Sequence, residues 1–331
     1  MRHPDEVLFA DQKPLPMLPV VDHYAGSERR IHKALLRQRE LGPVFDITCD
    51  CEDGAVAGAA AEQARMCAAQ VMGAENQFGR VGVRLRGLAS SGWEEDLEIL
   101  VREAGTRLAF LTLPKPESAR DVECFLAALR QAESRFGTGH AIPAHVLIET
   151  HGALRDVFQI AALPGVESLD FGLMDFVSAH RGAIPAWAMQ SPGQFAHPLV
   201  VRAKCEIAAA AFLHGICPTH NVTTELRDAS VITHDARRAR ELGFLRMWSI
   251  HPDQILPILE ALRPDFSEVA SAAEILAQAQ NEDWGPIQHQ GRLHDRASYR
   301  YYWECLRRAR TTGMALPEKA TRRFFPVREK E

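Results

Sequence analysis

The sequence predicts a (β/α)8 barrel followed by a helical extension, on three observations. Short apolar runs alternate with amphipathic stretches of helical length, the alternation recurs eight times, and the pattern changes after Pro264. An open doubly wound sheet satisfies the same alternation, although the count favours the closed barrel.

The predicted strands, in order, are Met17–Val21, Val44–Cys49, Val81–Leu85, Leu108–Leu113, His145–Glu149, Ser168–Gly172, Ile216–Thr219 and Leu245–Ile250. Each is a short apolar run of the kind a parallel sheet buries. Between the first two, SERRIHKALLRQRELG reads as a helix that begins in a capping-box-like region at Ser27 and Arg30 and stops at Gly42. A helix-length segment separates AHVLI, which ends in Glu149, from VESLDFG, which is followed by Asp175. Before the last strand, HDARRARELG stops at Gly243 in the same way. Beyond Pro264, Phe266–Gln280 reads as a helix, NEDWGPIQHQGRLHD as a polar loop, and Arg296–Arg310 as a second helix carrying Tyr299, Tyr301, Tyr302 and Trp303. The expected division is therefore a barrel over residues 1–263 and a helical extension over 264–331, the latter packing on a barrel or serving as a lid.

Composition narrows the class. With 331 residues, 46% hydrophobic and 24% charged, the chain is long enough for a large core. A net charge of -5, with both signs spread along the chain, lacks the basic footprint of a nucleic-acid binder. The amino terminus has no apolar leader and no apolar run approaches membrane-spanning length, so a soluble cytoplasmic protein is expected. Seven dispersed cysteines argue for free thiols rather than a disulfide framework, and Cys49 and Cys51 have no second cluster with zinc-site spacing.

In a barrel of this kind, catalytic groups come from the carboxyl ends of strands and the loops that follow. Those ends are rich in acids: Asp50, Glu52 and Asp53 after the second strand, Glu149 after the fifth, Asp175 after the sixth. Arg84 and Arg86 share a parity on the third and face the same side. A hard divalent cation such as Mg2+ needs only one or two carboxylates, so Glu149 and Asp175 suffice, and Arg84 can hold a substrate carboxylate or oxyanion. That assembly suits aldol or Claisen chemistry; a salt-bridge network that binds nothing fits the same residues. Lys115 has two readings, a Schiff-base amine and a solvated loop lysine, and the neighbouring Pro116 and Glu117 favour the second. His251 is either a general base or a helix-entry residue, with the structural role favoured, and Gly172 reads as a tight-turn residue. The GxGxxG, GxxxxGK[ST] and HExxH motifs are absent.

Seven segments in order, AGSERRIHKAL, DCEDGA, VRLRGL, LPKPES, LIETHGAL, FGLMDF and SIHPDQI, resemble the citrate lyase β-subunit-like family, which includes malyl-CoA and citramalyl-CoA lyases within the HpcH/HpaI aldolase group. The resemblance spans Gly26 to Arg310. It implies a barrel, commonly a homotrimer or hexamer, that uses Mg2+ to cleave or form a carbon–carbon bond in a 3-hydroxyacyl thioester or related organic acid. Carried over by position, Glu149 and Asp175 are the implied metal ligands. Arg84 binds substrate oxygens, with Arg86 and Gly172 placed beside it in the substrate site. Asp50, Glu52 and Asp53 become the outer acids that orient metal-bound water.

Three departures bear on substrate. Arg86 stands where members usually have Asn and adds positive charge, a catalytic acid is replaced by His220 in Pro218–Asn221, and a common lysine is replaced by Met247. His220 is therefore the candidate substitute for the acid. Two rivals to the thioester lyase follow: a 2-oxo-acid aldolase releasing pyruvate or a similar fragment, and a catalytically silent barrel binding a small dicarboxylate.

Overall fold

The computed structural model describes residues 2–9, 14–53 and 60–326. Among them the chain opens with one helical turn, α1 (Pro4–Val7). It then alternates β1 (Val21–Ala25), α2 (Glu28–Leu41), β2 (Phe45–Asp50), α3 (Ala60–Met72), β3 (Val81–Arg84), α4 (Trp93–Ala104), β4 (Leu111–Leu113), α5 (Ala119–Phe136) and β5 (Ala144–Ile148). The second half continues with α6 (His151–Arg155), α7 (Val157–Ala162), β6 (Val166–Phe171), α8 (Leu173–Ala179), α9 (Pro198–His214), β7 (Cys217–His220), α10 (Ala229–Glu241), β8 (Arg246–Ser249) and α11 (Pro252–Leu262). Neighbouring strands pair in parallel and β8 pairs back onto β1, closing the barrel. The expected (β/α)8 architecture is the observed one, and the open sheet is excluded. No described helix is long and apolar enough to cross a membrane.

Strand parity explains what fills this barrel. Successive residues of a strand face opposite sides, and here one side is hydrocarbon packed under the helices while the other is largely polar. Inside the bore, Thr48 donates to Asp22 at 2.6 Å and Trp248 Nε1 donates to Asp170 at 2.9 Å. Arg246, fully buried, lies 2.8 Å from a carboxylate oxygen of each of Asp22 and Asp46. Phe110 stacks on His145 with centroids 4.0 Å apart and occupies the room above Gly82, where a Cβ would stand 2.3 Å from its ring. A barrel interior is commonly filled by Val, Ile and Leu, so this one is unusually rich in charge.

That polarity corrects the predicted first strand. The apolar run Met17–Val21 contains Pro19, which has no amide to donate, whereas β1 starts at Val21 and runs through Asp22 and Tyr24, both turned into the bore. The outward residue between them, His23, is buried with Nδ1 2.8 Å from Ser249 Oγ. Burial keeps a proton off its ring and outweighs the opposing charge of Asp22, bringing its pKa down to about 4. An unfolded histidine titrates near 6.5. As the pH falls from there towards 4, only the unfolded chain takes up the proton, so the barrel should lose about 3 kcal/mol of stability. Urea melts of the wild type and His23→Gln across that window test this; parallel pH slopes would refute it.

A second compact unit combines the described residues of Met1–Met17 and Arg263–Glu331, so the amino-terminal turn α1 groups with the carboxy-terminal part rather than with the Leu18–Leu262 barrel. It contains α12 (Phe266–Asn281), α13 (Arg296–Thr311), α14 (Glu318–Phe324) and an antiparallel hairpin of β9 (Ile287–His289) and β10 (Arg292–His294). The hairpin lies in the segment expected to be a polar loop. Its turn residues Gln290 and Gly291 have φ of 47° and 76°, the positive pair that a tight two-residue hairpin requires. The tail aromatics form this unit's own core: Trp303 donates to Asp5 at 2.7 Å and stacks on Phe325, while Tyr299 donates to the carbonyls of Gly285 and His294.

Candidate active site

Successive strand ends from β2 to β6 deliver charged groups to one place. Arg84, the last residue of β3, closes its fork on Asp50 at the end of β2, with Nε and Nη2 donating at 2.7 and 3.0 Å. Its Nη1 forms an ion pair with Glu52 at 2.9 Å. Tyr24 donates to the same Asp50 carboxylate at 2.8 Å, and its ring lies beneath the guanidinium at 5.5 Å. Burial pushes the Asp50 carboxyl up, but the hydrogen bonds and charge of Arg84 outweigh it and hold the acid below its ordinary range. For Glu52 burial prevails, and its pKa is raised. Asp53 is more exposed and pairs with Lys115, while Gly54 and Ala55 of the same motif lie outside the described residues.

Glu149 follows directly on β5 and is 3% exposed. Its Oε1 accepts the backbone N–H of Lys115 at 2.9 Å. Burial first, then the charges of Asp175 and Glu52, raise its pKa to about 8. Gly172 lies directly against this side chain: a Cβ there would stand 2.1 Å from Glu149 Oε2. With φ of -95°, Gly172 is not in a left-handed turn. The position has room for a hydrogen and nothing larger, which corrects the turn reading. Asp175, in the first turn of α8, has a side chain 43% exposed.

The loop after β4 locks onto this arrangement. Thr150 donates to the Pro116 carbonyl at 2.5 Å and caps α6 by accepting from Ala153 N–H at 3.0 Å. One residue into that helix, Gly152 meets the Glu117 carbonyl so closely that a Cβ would stand 1.8 Å from it. The LPKPES and LIETHGAL segments thus interlock, the Thr150 hydroxyl and the bare Gly152 each meeting a backbone carbonyl of the first. Lys115, within LPKPES, is no solvated loop lysine. Its Nζ lies 2.7 Å from Glu52, 3.0 Å from Asp53 and 3.7 Å from Asp175. Burial opposes the charge, but these acids prevail and hold the amine ionised, which removes the Schiff-base reading.

Other sequence candidates lie elsewhere. Arg86 donates to Asp96 at 2.6 Å and to the Gly92 carbonyl at 3.0 Å, fastening the loop to the start of α4 instead of adding charge to the acid cluster. The strand ends at Arg84, so its parity does not carry on to residue 86. His220 is fully buried, stacked on Phe195 at 5.4 Å and edge-on to Phe244 at 4.9 Å, and burial holds its pKa well below the ordinary value. Its neighbour Thr219 bonds Ser168 of the adjacent strand β6 inside the bore, so His220 faces outward and cannot stand in for the missing acid. Met247 is likewise buried in the hydrocarbon core, beside inward-facing Arg246 and Trp248. The His251 ring accepts the Asp253 N–H at 3.3 Å at the entry to α11, the helix-entry role.

Asp22, His145 and Asp170 bring their ligand atoms within 4.8 Å of one another deep in the bore. On count alone they fit a metal. Arg246 already supplies the cation there, and the carboxylate oxygens accept from Thr48, Ser168 and Trp248, so the cluster is a paired structural network. Sequence reasoning missed Tyr24, although the alternation Asp22, His23, Tyr24 carries the signal once the bore is known to be polar.

Residues 44–252 match the HpcH/HpaI aldolase/citrate lyase family. The chain is 31% identical over 231 residues to the L-malyl-CoA/beta-methylmalyl-CoA lyase of Cereibacter sphaeroides, covering 66% of this chain and 72% of that one. It is 25% identical over 310 residues to the malyl-CoA/beta-methylmalyl-CoA/citramalyl-CoA lyase of Chloroflexus aurantiacus, covering 87% and 88%. A crystal structure of a citrate lyase from Burkholderia xenovorans LB400 is 51% identical with a TM-score of 0.84, over 98% of this chain and all of that one. The protein CitE of Mycobacterium tuberculosis, solved with magnesium, acetoacetate and coenzyme A, shares the fold at 22% identity and a TM-score of 0.64, over 88% and 98%. These matches agree with the lyase class expected from the sequence: the chain belongs to the HpcH/HpaI aldolase/citrate lyase family.

Proposed function

We propose that the protein is a Mg2+-dependent lyase that breaks or forms a carbon–carbon bond in a 3-hydroxyacyl thioester of the malyl-, citramalyl- or citryl-CoA type, or in a related hydroxy acid. The observation that carries this reading is Glu149: a carboxylate almost wholly removed from water, beside two like charges, in a cradle that only a glycine at 172 leaves open. A buried acid so placed is stabilised by a cation, and oxygen donors from Glu149 and Asp175 match the demand of Mg2+. The chemistry such an ion supplies when bound is Lewis-acid polarisation of a carbonyl beside the bond that breaks.

The chain's own residues account for the rest. Arg84 keeps donors beyond the two that Asp50 takes, and Asp50, Tyr24 and Glu52 hold its plane still, so it can grip a substrate carboxylate or carbonyl oxygen without reorganising. Glu52 and Asp53 stand one step further out, positioned to orient water.

A second reading, the 2-oxo-acid aldolase, draws on the end of β7, where the acid implied by family resemblance is replaced by an inward Thr219 and an outward His220. Purified protein with Mg2+ is offered malyl-, citramalyl- and citryl-CoA in one series and free 4-hydroxy-2-oxo acids in another. Cleavage of a thioester with no turnover of the free acids is the expected result, and the reverse establishes the aldolase. No turnover in either series, with melting temperatures raised by a dicarboxylate, establishes a silent binding barrel.

A further inference from the structure

Lys115 touches four acids of the cluster, one of which, Glu52, it shares with Arg84. Its amide is on Glu149, and its ammonium reaches Glu52, Asp53 and Asp175. The backbone that achieves this is unusual: Lys115 has φ of 51° between Pro114 and Pro116. A left-handed conformation costs an ordinary residue about 1–2 kcal/mol, and the interlock of Pro116 and Glu117 with Thr150 and Gly152 holds it in place. The three contacts are unequal. Glu52 and Asp53 are at hydrogen-bonding distance, whereas Asp175 at 3.7 Å is held by charge alone. A lysine stem is flexible enough to swing away from the looser partner while keeping the tighter ones.

We infer that the Lys115 ammonium is the internal counter-cation of the acid cluster, holding Asp175 near Glu52 in the metal-free protein and releasing it when a divalent ion binds, so that this lysine limits metal affinity. The inference rests on the Glu149–Asp175 metal reading. It makes Lys115 a positioning residue whose removal tightens metal binding, the opposite of what loss of a structural support would do. Mg2+ is titrated by calorimetry into the wild type, Lys115→Met, Lys115→Arg and Glu149→Ala. Lys115→Met should bind Mg2+ about five-fold more tightly, the scale of a partly exposed ion pair, and Lys115→Arg should resemble the wild type. The metal-free Lys115→Met protein should also melt at a lower temperature, with the deficit shrinking on Mg2+ addition. Unchanged or weaker affinity in Lys115→Met, while the wild type binds and Glu149→Ala does not, overturns the role of Lys115 alone. Absence of binding by the wild type overturns the metal reading and this inference together. Should Lys115→Met not fold, Lys115→Gln carries the same comparison.

Discussion

Replacing Glu149 with alanine should lower Mg2+ affinity by at least about 100-fold, the upper end of what loss of a mere outer-shell partner costs, and should remove turnover. The basis is the site's sparseness. Two carboxylates are proposed to hold the ion, and Glu149 is the buried one, with a fixed carboxylate plane: Oε1 on the Lys115 amide and Oε2 against Gly172. The Glu149→Gln variant separates charge from shape, because its carbonyl can still accept the Lys115 N–H. It should lose the metal as fully as alanine does. It should also melt no lower than the metal-free wild type, since an amide has no ionised form to desolvate. Calorimetry and melting curves on the three proteins suffice, and wild-type Mg2+ affinity in Glu149→Ala would end the assignment.

Gly172→Ala should have nearly the same functional effect without touching a charged group. Its φ of -95° and ψ of 81° are not left-handed, so the new methyl acts mainly through space, 2.1 Å from Glu149 Oε2 and 2.5 Å from Glu149 Cβ. Glu149 must leave its rotamer or the start of α8 must shift, and either movement separates it from Asp175. Overpacking of this kind costs about 1–3 kcal/mol in stability, leaving a folded barrel that has lost its metal affinity. A Gly172→Ala protein with intact Mg2+ binding would show that the cradle is dispensable.

Much of this was legible in the chain because strand ends announce themselves by where apolar runs stop. AHVLI stops at Glu149, and VESLDF stops just before Gly172. The first strand was misplaced for the converse reason: VDHYA looks polar, and only the closed bore, with Thr48 and Asp50 as partners, reveals why Asp22 and Tyr24 belong in a strand. Sequence position alone turns Arg86 and His220 towards the site. A strand that ends at Arg84 and a parity fixed by Thr219 decide otherwise, and neither boundary is written in local composition. The ion pairs of Lys115 are not legible from its own neighbours because their acids lie on two other segments, Glu52 and Asp53 just after β2 and Asp175 in α8.

The base of the barrel bears on how such a scaffold can change. A hydrocarbon bore is specified by volume, so one aliphatic side chain can be traded for another of similar size. Here Arg246, Asp22 and Asp46 are specified by direction and charge, and Thr48, Trp248 and Asp170 complete the set. Removing Arg246, Asp22 or Asp46 leaves an uncompensated charge in the buried interior. A change at any of these positions therefore calls for a compensating change in its partners, where a hydrocarbon bore would absorb it alone.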